Sequence, residues 1–278
     1  MKPFTKIAFL SFIILSGCTI FNAKQELIQG VPALHKEAMS TVKIDEFQIG
    51  QFTASDGTVI PYRILAPSHL KQGQTNLQTY PLILQLHGSG GIGVDNIKQL
   101  DRLAKSWAMP DVRERYQTYV LIHQFPIRSA NYGPTSPDQK AEASPALHAA
   151  LELVEDFSAK NAVNKSQIYA LGFSMGGSAT WLSHTIKPNL FAAIMPISGI
   201  APDDAYAEKY KQLPILVIHG NADTENPITA DRRFFNAIKK VGSQQIRLRE
   251  YEGLEHQLPD DIYPGFWWRD WLFGQKRD

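Results

Sequence analysis

Residues 168–177 read Ile-Tyr-Ala-Leu-Gly-Phe-Ser-Met-Gly-Gly, placing Ser174 between Gly172 and Gly176. An apolar run ends at Gly172 and helical spacing begins at Met175. A serine hydroxyl is a poor nucleophile until it is exposed beside a base, with N–H donors waiting for the oxyanion. A sharp strand-to-helix turn exposes it, and glycines two residues before and after leave that turn room to close. The first N–H groups of the following helix aim at the same point. Gly-x-Ser-x-Gly also occurs as an ordinary turn with an incidental serine, so its partners elsewhere in the chain decide the matter.

Three segments supply candidate partners. His87-Gly88-Ser89-Gly90-Gly91 follows the apolar run 81–86, and its backbone N–H groups suit a developing negative charge. Ser89 is the expected second donor beside Met175, with Gly90 as the alternative. A phosphate-cradling loop is the rival reading, but the Lys-Ser/Thr ending is missing. His219-Gly220-Asn221-Ala222-Asp223 follows the run 215–219, and Asp223 can orient a histidine and stabilise its charged form. Glu225 competes with it, and a helix-capping acid is the structural alternative. Of eight histidines, His256 is the candidate base, because it lies C-terminal to both serine and acid in a loop before the last helix. His87 and His219 sit beside glycines and read as structural. His123, His148 and His184 have ordinary strand-end or helix readings.

These segments need strands that stop at one rim. Ile44–Thr53 alternates apolar and polar residues, Ser55-Asp56-Gly57 marks a hairpin turn, and Val59–Leu65 returns. Strands at 81–86, 119–123, 167–173, 191–198, 215–219 and 245–251 then alternate with helices at 95–107, 141–159, 175–186, 229–241 and 259–273. Such alternation predicts an α/β fold: a mostly parallel central sheet covered by helices on both faces, with an N-terminal antiparallel hairpin at one edge. Open sheets of this kind place ligands at the strand ends. Only residues 199–214 separate two of the strands where a cap could insert, so no cap domain is expected and the site should be open. Phe125, Arg128 and Tyr132 in the loop 124–137 could line it, with Arg128 reaching a substrate carboxylate or simply solvent. Phe266-Trp267-Trp268 and Trp271 have the spacing of a helix face packed on the sheet, with a sugar-stacking platform as the alternative.

The 278 residues carry a formal net charge of +1, are 44% hydrophobic and contain no basic run, which argues against a nucleic-acid partner. No Cys/His cluster has metal-ligand spacing. The single cysteine, Cys18, ends Leu-Ser-Gly-Cys after Lys2, Lys6 and the apolar run 7–15. This resembles a bacterial lipoprotein signal peptide, with a plain secretory signal as the alternative. Expected boundaries are a signal peptide at 1–17, a tether with at most one short helix at 18–42, and one catalytic domain at 43–278. Acyl chains on Cys18 would hold the protein at a membrane. Loss of Lys2 and Lys6 from the 28 basic residues leaves 26 against 27 acidic, a nearly neutral mature chain. Thr19 after the cysteine resembles outer-membrane sorting, should the source be Gram-negative.

Pro81–Asp95, Ile168–Trp181, Phe191–Gly199, His219–Pro227 and Trp271–Lys276 together resemble the α/β-hydrolase superfamily. The order Ser174, Asp223, His256 matches it. In detail the chain is similar to bacterial poly(3-hydroxybutyrate) depolymerase-like proteins and predicted peptidases, related to feruloyl and acetyl esterases. The resemblance covers roughly residues 42–276. It implies acyl transfer without a metal or organic cofactor, with Ser174, Asp223 and His256 catalytic and Met175 and Ser89 in the oxyanion hole; the expected lack of a cap points to short or water-soluble esters as substrates. Two departures stand out. Asp223-Thr-Glu-Asn-Pro replaces the usual Asp-x-x-Val-Pro, which keeps Glu225 in play, and Leu254-Glu255 replaces a smaller pair before His256. A prolyl-oligopeptidase-type serine peptidase and an inactive envelope-bound module are the competing classes.

Overall fold

The computed structural model describes residues 23–30, 42–70 and 78–277. Strands β1 (Lys24–Ile28), β2 (Gln48–Thr53), β3 (Val59–Leu65), β4 (Tyr80–Leu86), β5 (Tyr119–His123), β8 (Val163–Phe173), β9 (Ala193–Ile197), β10 (Ile215–Gly220) and β11 (Ile246–Tyr251) form one sheet. Its order is β1-β11-β10-β9-β8-β4-β5-β3-β2. The two-residue strands β6 (Ala130–Asn131) and β7 (Glu142–Ala143) pair separately. From β1 to β5 across the sheet every neighbour is parallel, and β3 and β2 close one edge antiparallel, as the hairpin signal predicts.

The inner strands are buried on both faces, which is why 81–86 and 168–173 read as continuous apolar runs rather than alternating ones. Helices α3 (Pro145–Lys160), α4 (Met175–Ile186) and α5 (Thr229–Lys240) cover one face around Leu84, Trp181, Tyr210 and Phe234. The other face carries α1 (Arg102–Lys105), α2 (Pro110–Arg115) and α6 (Phe266–Phe273), packed around Ile83, Leu171 and Tyr169. There Trp268 is fully buried, edge-on to Trp107 at 5.4 Å, and the Arg269 guanidinium lies over both indoles. Trp268 thus serves the core, and Trp267 and Trp271 pack against it half-buried.

Three expectations differ from the fold. The segment 18–42 reads as a tether with at most one short helix, yet Lys24–Ile28 pairs with β11 in parallel as the ninth strand of the sheet. Its residues are mostly exposed, so the pairing rests on backbone bonds and on Gln25, which donates to Glu250 of β11. The helix predicted over 95–107 shrinks to α1 and a 3-10 turn. Asp95 bonds the backbone N–H groups of Ile97 and Lys98, and Asp101 bonds that of Ala104, so the helix starts only after the second acid. The last helix starts at Phe266, not 259, after a separate 3-10 turn at Asp260–Ile262. The expected leader and Cys18 lie outside the described residues. Among those described, no helix is long and apolar enough to cross a membrane.

Candidate active site

Ser174 sits between β8 and α4 with φ 59° and ψ −123°, a strained conformation for a residue with a side chain. Its N–H donates to the Ile197 carbonyl at 2.9 Å, and its carbonyl accepts from the Ser178 N–H at 3.0 Å. The flanking glycines explain themselves sterically. A Cβ at Gly176 would stand 2.1 Å from the Leu86 carbonyl oxygen, and one at Gly172 would stand 2.5 Å from the same atom. The turn therefore packs directly on the end of β4, which also delivers the loop 87–91.

His256 lies 82 positions further along the chain, yet its Nε2 accepts from the Ser174 hydroxyl at 2.8 Å. Its Nδ1–H donates to Asp223 Oδ2 at 2.7 Å, and its ring packs on Phe173 at 5.0 Å. Two loops are laced together to achieve this. The Ala222 N–H donates to the Leu254 carbonyl, and the Gly253 N–H donates to Asn221 Oδ1. A Cβ at Gly220 would lie 2.1 Å from that same Leu254 carbonyl, so the glycine permits the close approach. Glu225 falls off the opposite side of the ring, 3.8 Å from Nε2, with its side chain 74% exposed. The geometry thus gives Nδ1 to Asp223 and leaves Glu225 at the mouth of the cleft.

Asp223 is held from every side. Its Oδ1 accepts from the backbone N–H groups of Glu225 and Asn226 at 3.0 and 2.8 Å. Its Oδ2 accepts from His256 and also faces His219 Nε2 at 3.3 Å. Burial alone would raise the Asp223 carboxyl, but the bonds from His219, His256 and the Asn226 N–H outweigh it and hold the group well below the usual carboxylate range. Behind it stands a constellation that sequence reasoning missed. His219 is fully buried, donating from Nδ1 to Asp231 Oδ2 at 2.8 Å and from Nε2 to the Asn226 carbonyl at 2.8 Å. Trp181 Nε1–H caps the other Asp231 oxygen at 2.9 Å. Burial would depress the His219 imidazole, but Asp223 and Asp231 outweigh it and push it up to about 9. A signal existed: Asp231, Phe234, Phe235 and Ile238 follow the spacing of a buried helix stripe, and an acid on such a stripe requires a partner.

The glycine-rich loop completes the rim. Its Gly91 and Ile92 N–H groups are used on the Gly88 and Ser89 carbonyls, while Ser89 and Gly90 line the cleft beside Ser174. The Met175 N–H opens α4 and has no carbonyl one turn behind it within the helix. His87 fixes the loop from below: burial lowers its imidazole to about 4, its Nε2 accepts from the Phe125 N–H at 3.0 Å, and its Nδ1–H donates to the Gly88 carbonyl at 2.7 Å. The cleft has a volume of about 390 Å³, with Lys98, Asp101 and Glu225 at its margins. Arg128 does not line it; its guanidinium stacks on Tyr132 and donates to the Ala130 carbonyl. Phe125 is buried against His87.

The match to the phospholipase/carboxylesterase family spans residues 79–262, two thirds of the chain and every segment of this site. The chain belongs to that family. Its sheet and helices are those of the α/β-hydrolase fold, as the motifs predict. Among curated proteins this carboxylesterase-family chain is similar to the esterase-designated NocK of Nocardia uniformis subsp. tsuyamanensis, 23% identical over 215 residues, covering 74% of this chain and 60% of that one. Among solved structures it is similar to a thermostable esterase, with 29% identity and a TM-score of 0.72, covering 84% of this chain and 64% of the other. An acylaminoacyl peptidase of Pyrococcus horikoshii shares the fold at 17% identity and a TM-score of 0.57, covering 80% of this chain and 39% of the peptidase. The chain therefore spans less than two thirds of the length of each of these relatives.

Proposed function

We propose that this chain is a serine esterase that hydrolyses short or water-soluble carboxylic esters through an acyl-enzyme, anchored at the cell envelope by lipid on Cys18. The observation that carries the chemistry is the unbroken bonding path Ser174–His256–Asp223, at 2.8 and 2.7 Å, opening into the cleft. His256 Nε2 takes the Ser174 hydroxyl proton as Oγ attacks the substrate carbonyl carbon. Negative charge moves to the carbonyl oxygen, which the Met175 and Ser89 N–H groups receive; losing one such donor costs about 3 kcal/mol. The C–O bond to the alcohol then breaks, and the His256 imidazolium protonates the departing oxygen. Water repeats the sequence to release the acid. Asp223 keeps the proton of the resting imidazole on Nδ1 and stabilises the charged ring.

The preference for small esters is supported by the cleft volume and by the stretch between β9 and β10, whose regular structure is one 3-10 helix, Asp204–Tyr210. The esterase designations of NocK and of the thermostable enzyme favour esters over peptides. Panels of p-nitrophenyl esters and of aminoacyl amides test this directly. Ester turnover and fluorophosphonate labelling, both lost in Ser174→Ala with the fold retained, are expected. Turnover of amides alone would favour the peptidase class, and no labelling would favour an inactive binding module. Incorporation of radiolabelled palmitate into the wild type but not Cys18→Ala checks the anchor.

A further inference from the structure

The parallel strands give the molecule two unlike ends. They finish at the catalytic rim, and α3, α4 and α5 run back to the opposite end, where they stop at Lys160, at the helix-ending Lys187 and at Lys239-Lys240. Beneath the half of the sheet from β8 to β1, this far end also gathers Lys165, Lys209, Lys211, Lys276 and Arg277. Among the described residues, Lys160, Lys187 and Lys211 each face a carboxylate, those of Asp156, Glu155 and Glu208. The other cations have none. Lys209 donates to the Thr185 carbonyl at 3.0 Å, and Arg277 donates to the carbonyls of Lys165 and Asn189. Lys165, Lys239, Lys240 and Lys276 stand exposed. Lys209, Lys276 and Arg277 border a concavity of about 310 Å³ with His184, Pro188 and Gln212.

The edge strand β1 begins at this same end, since Lys24 pairs with Arg247 near the start of β11. The chain before Lys24 therefore leaves from the basic end and not from the catalytic rim. Cys18 lies six positions upstream, a reach of at most about 20 Å even if fully extended. Local positive charge this dense, on a chain that is nearly neutral after loss of its leader, is complementary to one surface in particular.

We propose that this end is a membrane-docking surface that binds the anionic headgroups of phospholipids. Its orientation relative to an anchor rests on the envelope reading above; its affinity for lipid does not. Docked this way, the cations lie against the headgroups, within the roughly 8 Å over which such charges act at physiological salt. The Ser174 cleft then faces away from the bilayer, and its substrates arrive from the aqueous side. Together the short spacer and the basic surface act as two signals, one covalent and one electrostatic.

The test uses the chain beginning at Thr19, which has no acyl group and keeps the whole fold, because every described element begins at Lys24 or later. Cosedimentation is measured with vesicles of phosphatidylcholine alone and with about one third phosphatidylglycerol. Salt-sensitive binding at least tenfold tighter to the anionic vesicles is expected. The variant Lys209→Gln/Lys239→Gln/Lys240→Gln/Lys276→Gln should bind them roughly a hundredfold or more weakly, with hydrolysis of a soluble ester unchanged. Equal binding to both vesicles, no binding to either, or full binding by the variant would overturn the proposal. Vesicle binding without ester turnover would instead count against the catalytic reading, and absence of palmitate on Cys18 against the anchor alone.

Discussion

His219 can be tested through stability rather than activity. Its imidazole is buried between Asp231, Asp223 and the Asn226 carbonyl, and it is pushed from 6.5 up to about 9. A group whose pKa is higher in the folded than in the unfolded chain stabilises the fold fully below the unfolded value. That stabilisation disappears as pH rises through the folded value. The window here runs from about 6.5 to about 9, and the gap corresponds to about 3 kcal/mol. The group is fully buried, so solvent screening does not reduce this contribution. The comparison is wild type against His219→Gln/Asp231→Asn. The double substitution removes the cation and one carboxylate together, so no buried carboxylate is left unpaired at 231, and the asparagine oxygen still accepts from Trp181. Urea unfolding near pH 6 and near pH 9.5 gives four free energies. The wild type should lose about 3 kcal/mol more than the variant across that interval, with both groups' other titrations cancelling in the difference. Parallel pH dependences would show that His219 is neutral at pH 6 and that its bonds are those of an uncharged ring.

Other outcomes follow from the same geometry. Asp223→Asn should lower kcat by about 10⁴-fold by turning the His256 ring to the wrong tautomer, whereas Glu225→Gln, an exposed group beside Nε2, should change it by less than about fivefold; the reverse ranking in steady-state assays would move the acid to Glu225. Gly220→Ala places a methyl against the Leu254 carbonyl, must shift the His256 loop by about 1 Å, and should cost on the order of a hundredfold in kcat while the protein remains folded by circular dichroism. Trp268→Ala removes a fully buried indole packed on Trp107 and should destabilise the fold by about 3–5 kcal/mol, read by denaturant unfolding.

What was legible in the sequence follows a physical division. Strand ends marked by glycine, serine, histidine and aspartate could be read because turns that approach other backbone closely restrict residue type. Ser174, Asp223 and His256 come together from three such turns. The inner strands were legible as apolar runs for the same reason that they are buried. β1 was not, because an edge strand with an exposed side carries a mixed sequence, Lys-Gln-Glu-Leu-Ile, indistinguishable from a linker. The segment 95–101 reads as helix because Asp95 and Asp101 can cap either a turn or a helix, and only the tertiary setting selects between them. His219 reads as a turn residue, since its partner Asp231 stands 12 positions on, in the first turn of α5, and nothing local ties the two together.

The site concentrates its costs at one rim. Ser174 is held in a backbone conformation that costs on the order of 1–3 kcal/mol, Asp223 is kept ionised with its side chain out of solvent, and Asp231 is buried behind it. Each is tolerable only because another group answers it: the Ile197 carbonyl fixes the Ser174 backbone, and His219 stands between the two carboxylates. His219 therefore links Asp223 to Asp231 on α5, and Trp181 ties Asp231 to α4, the helix that carries Met175. The Ser174 turn, helix α4 and the Asp223 loop are thus one bonded unit, and the His256 loop is joined to it from outside. Its joints include the backbone bond from the Ala222 N–H to the Leu254 carbonyl and the bond from the Gly253 N–H to the Asn221 side-chain oxygen. Substitutions that loosen that lacing should move the base away from Ser174 before they disturb the nucleophile, so they should lower turnover more than they lower stability.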